Sequence, residues 1–140
     1  HFLLDHHFWL QIAQHGGMVY VPRIWSAARY HPDAKNRAQA SEFGREAFMI
    51  LNSAAADKHL APILARVDRP ARASAYRVDA RYLLDGGQPV AALRSWFNAL
   101  WFYPPIALAR LNILFSAVLG ILGLQVVRDW VLEMRKKKQG

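Results

Sequence analysis

The side chains best equipped for chemistry lie in the first thirty-five residues. Asp5 stands just ahead of Phe8, Trp9 and Leu10, an acidic residue at the mouth of a short aromatic helix. A carboxylate in that position can act as a general base, or it can cap the helix with one oxygen while presenting the other. The two roles can coexist, and on the residues alone capping is the simpler one. Further along, Arg29, His31 and Lys35 share one loop. Arginine grips oxyanions in a fork, lysine acts as a point charge, and a neutral imidazole can ligate a metal. The trio therefore suits phosphate, although taken by itself a basic surface loop is the plainer reading. His1, Asp5, His6 and His7 bring metal-ligating types together in sequence. Neighbours at i and i+1 do not share a helix face, so His6 with His7 makes a poor chelating pair. No stand-alone metalloenzyme is expected.

The elements that must position these groups can be read from periodicity. Leu4, Phe8 and Ile12, with Trp9 and Ala13 beside them, form the stripe of an amphipathic helix over residues 1–15, with Asp5 as expected N-cap and Gly16-Gly17 as the stop. Residues 18–21 read as a short strand closed by Pro22, and residues 24–30 as a second extended stretch ending in the turn His31-Pro32-Asp33. A helix is expected from Ser41, its N-cap, to Leu51, with Phe43, Ala47, Ile50 and Leu51 on one face. Residues 54–70 are alanine-rich and read as a connection ending at a boundary, Arg69-Pro70. Beyond it, Tyr76, Ala80 and Leu83 mark one helix that stops at Gly86-Gly87. Val90, Leu93, Phe97 and Leu100 mark a second that stops at Tyr103-Pro104-Pro105. The two make an αα-hairpin. A long apolar helix is expected over residues 106–134. Its 17 uncharged residues, 111–127, are slightly short of the ~20 that a membrane span needs. Asn112, Ser116, Gly120 and Gly123 form a small-residue stripe on it.

Composition narrows the classes. The 140 residues suffice for one domain, or one small domain with an appendage, and 54% of them are apolar, which excludes wholesale disorder. With no cysteine, disulfides, thiolate zinc sites and a cysteine nucleophile are ruled out. The net charge of +8 is uneven: residues 1–70 hold 8 basic and 6 acidic side chains, residues 71–140 hold 10 and 4. Four of the cations are Arg135 to Lys138, beside the apolar segment, a pattern that favours a lipid surface over nucleic acid. A chain opening inside an apolar run without an initiator Met reads as part of a longer protein.

Asp5, Phe8-Trp9-Leu10, Ile12-Ala13, Gly16-Gly17, Val19-Tyr20-Val21-Pro22 and Arg29-Tyr30-His31 with Lys35 follow one another in a specific order. In that order and spacing they resemble the C-terminal motifs of the family-two, inverting, GT-A type glycosyltransferases. There an acidic pair precedes an aromatic-Trp-Leu-Arg run, followed by a Gly, a Tyr-Val-Pro strand and an Arg-x-His loop with a later Lys. The resemblance covers roughly residues 1–50. It implies an α/β GT-A fold of which this chain is the C-terminal fragment, itself predominantly α-helical with one or two short strands. It implies transfer of a sugar from a nucleotide-sugar donor to an unidentified acceptor, a glycan or a lipid-linked group, with inversion. Asp5 would be the catalytic base; Arg29, His31 and Lys35 would hold the donor diphosphate, with His31 able to ligate a divalent metal, Mg²⁺ or Mn²⁺. Leu4 and His7 replace the family's flanking acids, and Gln11 replaces its Arg. Phe8 and Trp9 could line a sugar subsite, though aromatics on an apolar helix face more often belong to the core.

The nucleotide-binding half and an Asp-x-Asp motif are absent from these residues; they are expected upstream, and this segment alone is not expected to be active. Residues 1–53 would complete the catalytic domain, residues 54–70 connect, and residues 71–140 form a helical extension. The extension would hold the enzyme at the cytoplasmic face of the membrane. The alternative from another class is a non-enzymatic, helical, membrane-associated interaction protein.

Overall fold

The computed structural model describes residues 3–17, 19–26 and 40–124. All their regular structure is helical: α1 (Leu4–His15), α2 (Ala40–Ala56), α3 (Ala61–Asp85), α4 (Pro89–Phe102), α5 (Pro104–Leu108) and α6 (Leu111–Ile121). The α/β GT-A architecture expected above is therefore corrected, because the described residues contain no strand. Val19, Tyr20, Ile24 and Trp25 adopt no regular structure and are 78–96% exposed. Between them the Arg23 N–H bonds to the Val21 carbonyl at 2.8 Å. A strand needs a neighbour to satisfy its ladder, and among the described residues no strand is paired with this segment. Residues 18 and 27–30, the rest of the two expected strands, lie outside the described residues.

Helices α2, α3 and α4 pack side by side, with α5 and α6 folding back over α4. The core is unusual in how much of it is alanine. Ala73, Ala80, Ala92, Ala99, Ala107 and Ala117 are all completely buried. Side chains this small let helix backbones come close, so contact is spread along whole faces rather than concentrated in a few large knobs. Trp96, 3% exposed, fills the space where α4 meets α5 and α6. Its indole N–H donates to the Ala107 carbonyl at 3.3 Å, which satisfies the one polar atom this large side chain buries. Burying a side chain of this size contributes about 3 kcal/mol. Aromatic contacts stitch the other side: Phe43 stacks on Tyr82 at 4.2 Å, and Tyr76 lies between Phe48 and Phe102.

The hairpin forms where its glycines predict. Gly87 adopts φ +73°, open to glycine at little cost, and the Gly86 and Gln88 N–H groups bond back to Tyr82 and Leu83. Pro89 then opens α4, where a missing N–H loses nothing. Arg69 donates its Nε–H to the Phe102 carbonyl at 3.0 Å and so closes the far end of α4. Pro70, expected at a boundary, lies inside α3 instead, and the kink it enforces falls upstream at Val67 (φ −123°, ψ 19°). The expected connection at 54–70 thus comprises the end of α2, the turn 57–60 and the start of α3.

Asp79 sits where α2, α3 and α4 converge. The Ser95 hydroxyl donates to its Oδ2, and Gly44 on α2 leaves the space that its Oδ1 occupies. Burial raises its pKa above the usual aspartate value, and the Ser95 hydrogen bond works against that rise.

The single long helix expected over residues 106–134 is also corrected. It is broken at Ala109-Arg110, and α6 ends at Ile121 before Gly123 turns with φ +71°. Ile113 and Ala117 face the core, and Gly120 packs on Pro89, where an added Cβ would stand 2.9 Å from the Pro89 Cβ. The small-residue stripe serves helix packing at that point. No helix of the described residues is long and apolar enough to cross a membrane.

Candidate functional site

Helix α1 stands apart from this bundle and carries the candidate base. It is held at its start by the Leu3 N–H, which donates to the Glu46 carboxylate of α2 at 2.7 Å, and by the buried Leu3 side chain. The N-cap is Leu3, not Asp5. Asp5 lies one residue inside the first turn, where the helix dipole favours its charge without the carboxylate closing the helix end. It bonds instead to its neighbour. Asp5 Oδ1 accepts from the His6 backbone N–H at 2.9 Å and lies 3.1 Å from His6 Nδ1, which donates when it carries the proton. The His6 side-chain bond is the main cause holding the Asp5 carboxyl below the ordinary carboxylate range, with the backbone bond and the His6 charge adding to it; slight desolvation opposes them. Asp5 is thus ionised at neutral pH and open to solvent. A carboxylate in this state can take a proton from a hydroxyl brought against it.

Asp5, Phe8, Trp9 and Ile12 fall at i, i+3, i+4 and i+7 and so share a face of α1. The expectation that the two aromatics belong to the core is corrected: Phe8 is 59% and Trp9 57% exposed. An acid at the head of an uncovered aromatic stripe is an arrangement that can bind the apolar face of a sugar ring beside its reacting hydroxyl.

The adjoining side of α1 borders a cleft of about 210 Å³ against the end of α2, lined in part by His7, Gln11, Gln14, Ser53 and Asp57. It continues into a shallower hollow of about 670 Å³ that adds Phe8, Ile12 and His15. The Gln11 amide nitrogen lies 3.1 Å from His7 Nε2 and donates to it when that nitrogen is unprotonated. Asp57 Oδ1 accepts from the Leu60 and His59 N–H groups at 3.0 and 2.7 Å, and these bonds hold its carboxyl low. Amides, imidazoles and a carboxylate beside Phe8 form a set suited to hydrogen-bonding hydroxyl groups. Asp57 was not legible as a site residue, because it lies in the stretch read as a connection. Its available signal was an Asp placed four residues before Ala61-Pro62, the mark of a helix start.

The other expected site residues, Arg29, His31 and Lys35, lie outside the described residues. Among the described residues no three His, Asp or Glu side chains gather in a way that could hold a metal ion. Comparison with protein-family models, with curated proteins and with solved structures finds no match to this chain.

Proposed function

We propose that residues 1–53 form the acceptor-side segment of an inverting glycosyltransferase that uses a nucleotide-sugar donor. The observation that carries the reading is Asp5: an ionised, solvent-open carboxylate at the head of the exposed Phe8-Trp9 face. In this reading the acceptor hydroxyl gives its proton to Asp5 as its oxygen attacks the anomeric carbon, and the nucleoside diphosphate departs from the opposite face of the sugar. The sugar ring rests on the aromatic stripe, and the cleft with Gln11, Gln14 and Asp57 takes hydroxyls of the acceptor. Arg29, His31 and Lys35 neutralise the leaving diphosphate. A divalent ion, Mg²⁺ or Mn²⁺, when bound would share that neutralisation. Among the described residues no set gathers to hold it; in this reading His31 is the ligand this chain offers.

The test is turnover and donor binding in the full-length protein with a panel of nucleotide-sugars. Asp5→Asn should leave donor affinity unchanged and cut turnover by about 100-fold or more, the scale of a lost general base. An Asn variant with near wild-type turnover would overturn the assignment. A second reading, a non-enzymatic helical interaction protein, is favoured by the all-helical architecture. It expects no nucleotide-sugar binding by the full-length protein.

A further inference from the structure

The outer faces of α4 and α6 are apolar, cationic and uncovered. On α4, Val90, Arg94, Phe97 and Trp101 fall at i, i+4, i+7 and i+11, and Trp101 is 84% exposed. On α6 and its C-cap, Leu111, Phe115, Val118 and Leu122 repeat the same spacing, with the helical three on the side opposite the buried Ile113 and Ala117. Each helix thus buries one face in the shared core and turns a second apolar stripe outward, and exposed apolar stripes of this kind mark interaction surfaces.

Within the segment that carries these stripes the charge is of one sign. Between Asp85 and Asp129 the sequence has no acidic residue, whereas Arg94 lies within the α4 stripe and Arg110 stands exposed at the head of α6. Arg110 and Arg81 lie near enough to the half-buried Arg77 that their repulsion, added to its burial, lowers its pKa. Among the described residues, Arg81 of these three pairs with an acidic side chain, Asp85, at 3.8 Å on the exposed surface. A second copy of this chain, meeting the face with its own, would bring Arg94 and Arg110 against the same two arginines. An anionic lipid surface supplies phosphates for the arginines and acyl chains for the stripes. The exposed Trp101 and Tyr103 at the end of α4 are residue types that settle at the boundary between headgroups and hydrocarbon.

We propose that the outward faces of α4 and α6 dock in the plane of an anionic membrane leaflet, without spanning it. The short lengths of α4, α5 and α6 and the turn at Gly123 fit an in-plane geometry. The inference does not rest on the glycosyl-transfer reading.

The experiment is co-sedimentation of the full chain with phosphatidylcholine vesicles, plain or containing about one third phosphatidylserine. Three proteins are compared: wild type, the double variant Trp101→Ser with Phe115→Ser, and the double variant Arg94→Gln with Arg110→Gln. All keep the basic residues Arg135 to Lys138. Wild type should bind the anionic vesicles at least about tenfold more tightly than the neutral ones. The serine variant should lose at least about tenfold on anionic vesicles, the scale of removing two buried aromatic contacts. The arginine variant should bind more weakly and with a shallower dependence on salt. The replaced aromatics are exposed, so helix content and melting should stay at wild-type values, which separates lost docking from lost folding. Anionic vesicle binding equal in wild type and the serine variant would assign the attraction to the basic tail and overturn the proposal. So would a wild-type dimer in sedimentation equilibrium that the serine variant abolishes, or no vesicle binding at all.

Discussion

Two tryptophans divide the molecule. Trp96 lies in the centre of the α3 to α6 packing, 3% exposed, with its indole N–H bonded and alanines on its flanks. Trp9 lies on α1, 57% exposed, on a helix joined to the rest through Leu3 and Glu46. The bundle buries one face of each helix in a shared core, whereas α1 leaves its aromatic face uncovered. The lesson is that packing and exposure are distributed separately: residues 40–121 share the core, and the arm carries a carboxylate, imidazoles and an aromatic face that this core does not cover.

Substituting each tryptophan in turn puts the division to its hardest test. Trp96→Ala should cost about 3–5 kcal/mol of stability, the range for truncating a buried aromatic, read as a large fall in melting temperature. Trp9→Ala should stay within about 0.5 kcal/mol of wild type, as expected for an exposed position. Equal losses would dissolve the distinction. Gly44→Ala probes the bundle's tolerance next. Alanine gains about 1 kcal/mol of helix propensity over glycine, but its Cβ would overlap the Asp79 carboxylate. Overpacking costs about 1–3 kcal/mol, so net destabilisation is expected in chemical denaturation. Glu46→Ala removes the acceptor for Leu3 N–H and should loosen the arm by about 1–2 kcal/mol. Hydrogen exchange should report faster exchange along α1 with unchanged protection in α3 and α4.

The same division explains what could be read from sequence. Where a residue's backbone demand is local, the reading holds: Gly16 ends α1, Gly87 turns the hairpin with φ +73°, and Tyr103-Pro104-Pro105 closes α4. Where the outcome depends on a distant partner, it fails. The Val-Tyr-Val run has strand composition, but a strand exists only with a neighbour, and composition cannot report one. Pro70 reads as a break, yet packing against α2 and α4 carries α3 through it with a kink at Val67. Trp9 has the periodicity of a core residue, and periodicity marks an apolar face without saying what covers it. At the site, Asp5 could be found from its place before the aromatic run. Its bond to His6 could not, since adjacent residues meet only through a particular pair of rotamers.

That bond gives the most direct test of the central claim, that Asp5 held ionised by His6 is the base. The measurement is the pH dependence of kcat/KM for the full-length protein and its His6→Ala variant. A base is active when ionised, so the rate should fall as pH drops through the Asp5 pKa in the free enzyme. In wild type that acid limb should lie below the ordinary carboxylate value, because the His6 bond favours the charged form. Removing the imidazole should move the limb to higher pH, toward the ordinary value. An acid limb at the same pH in both proteins, or one that persists unchanged in Asp5→Asn, would contradict the account.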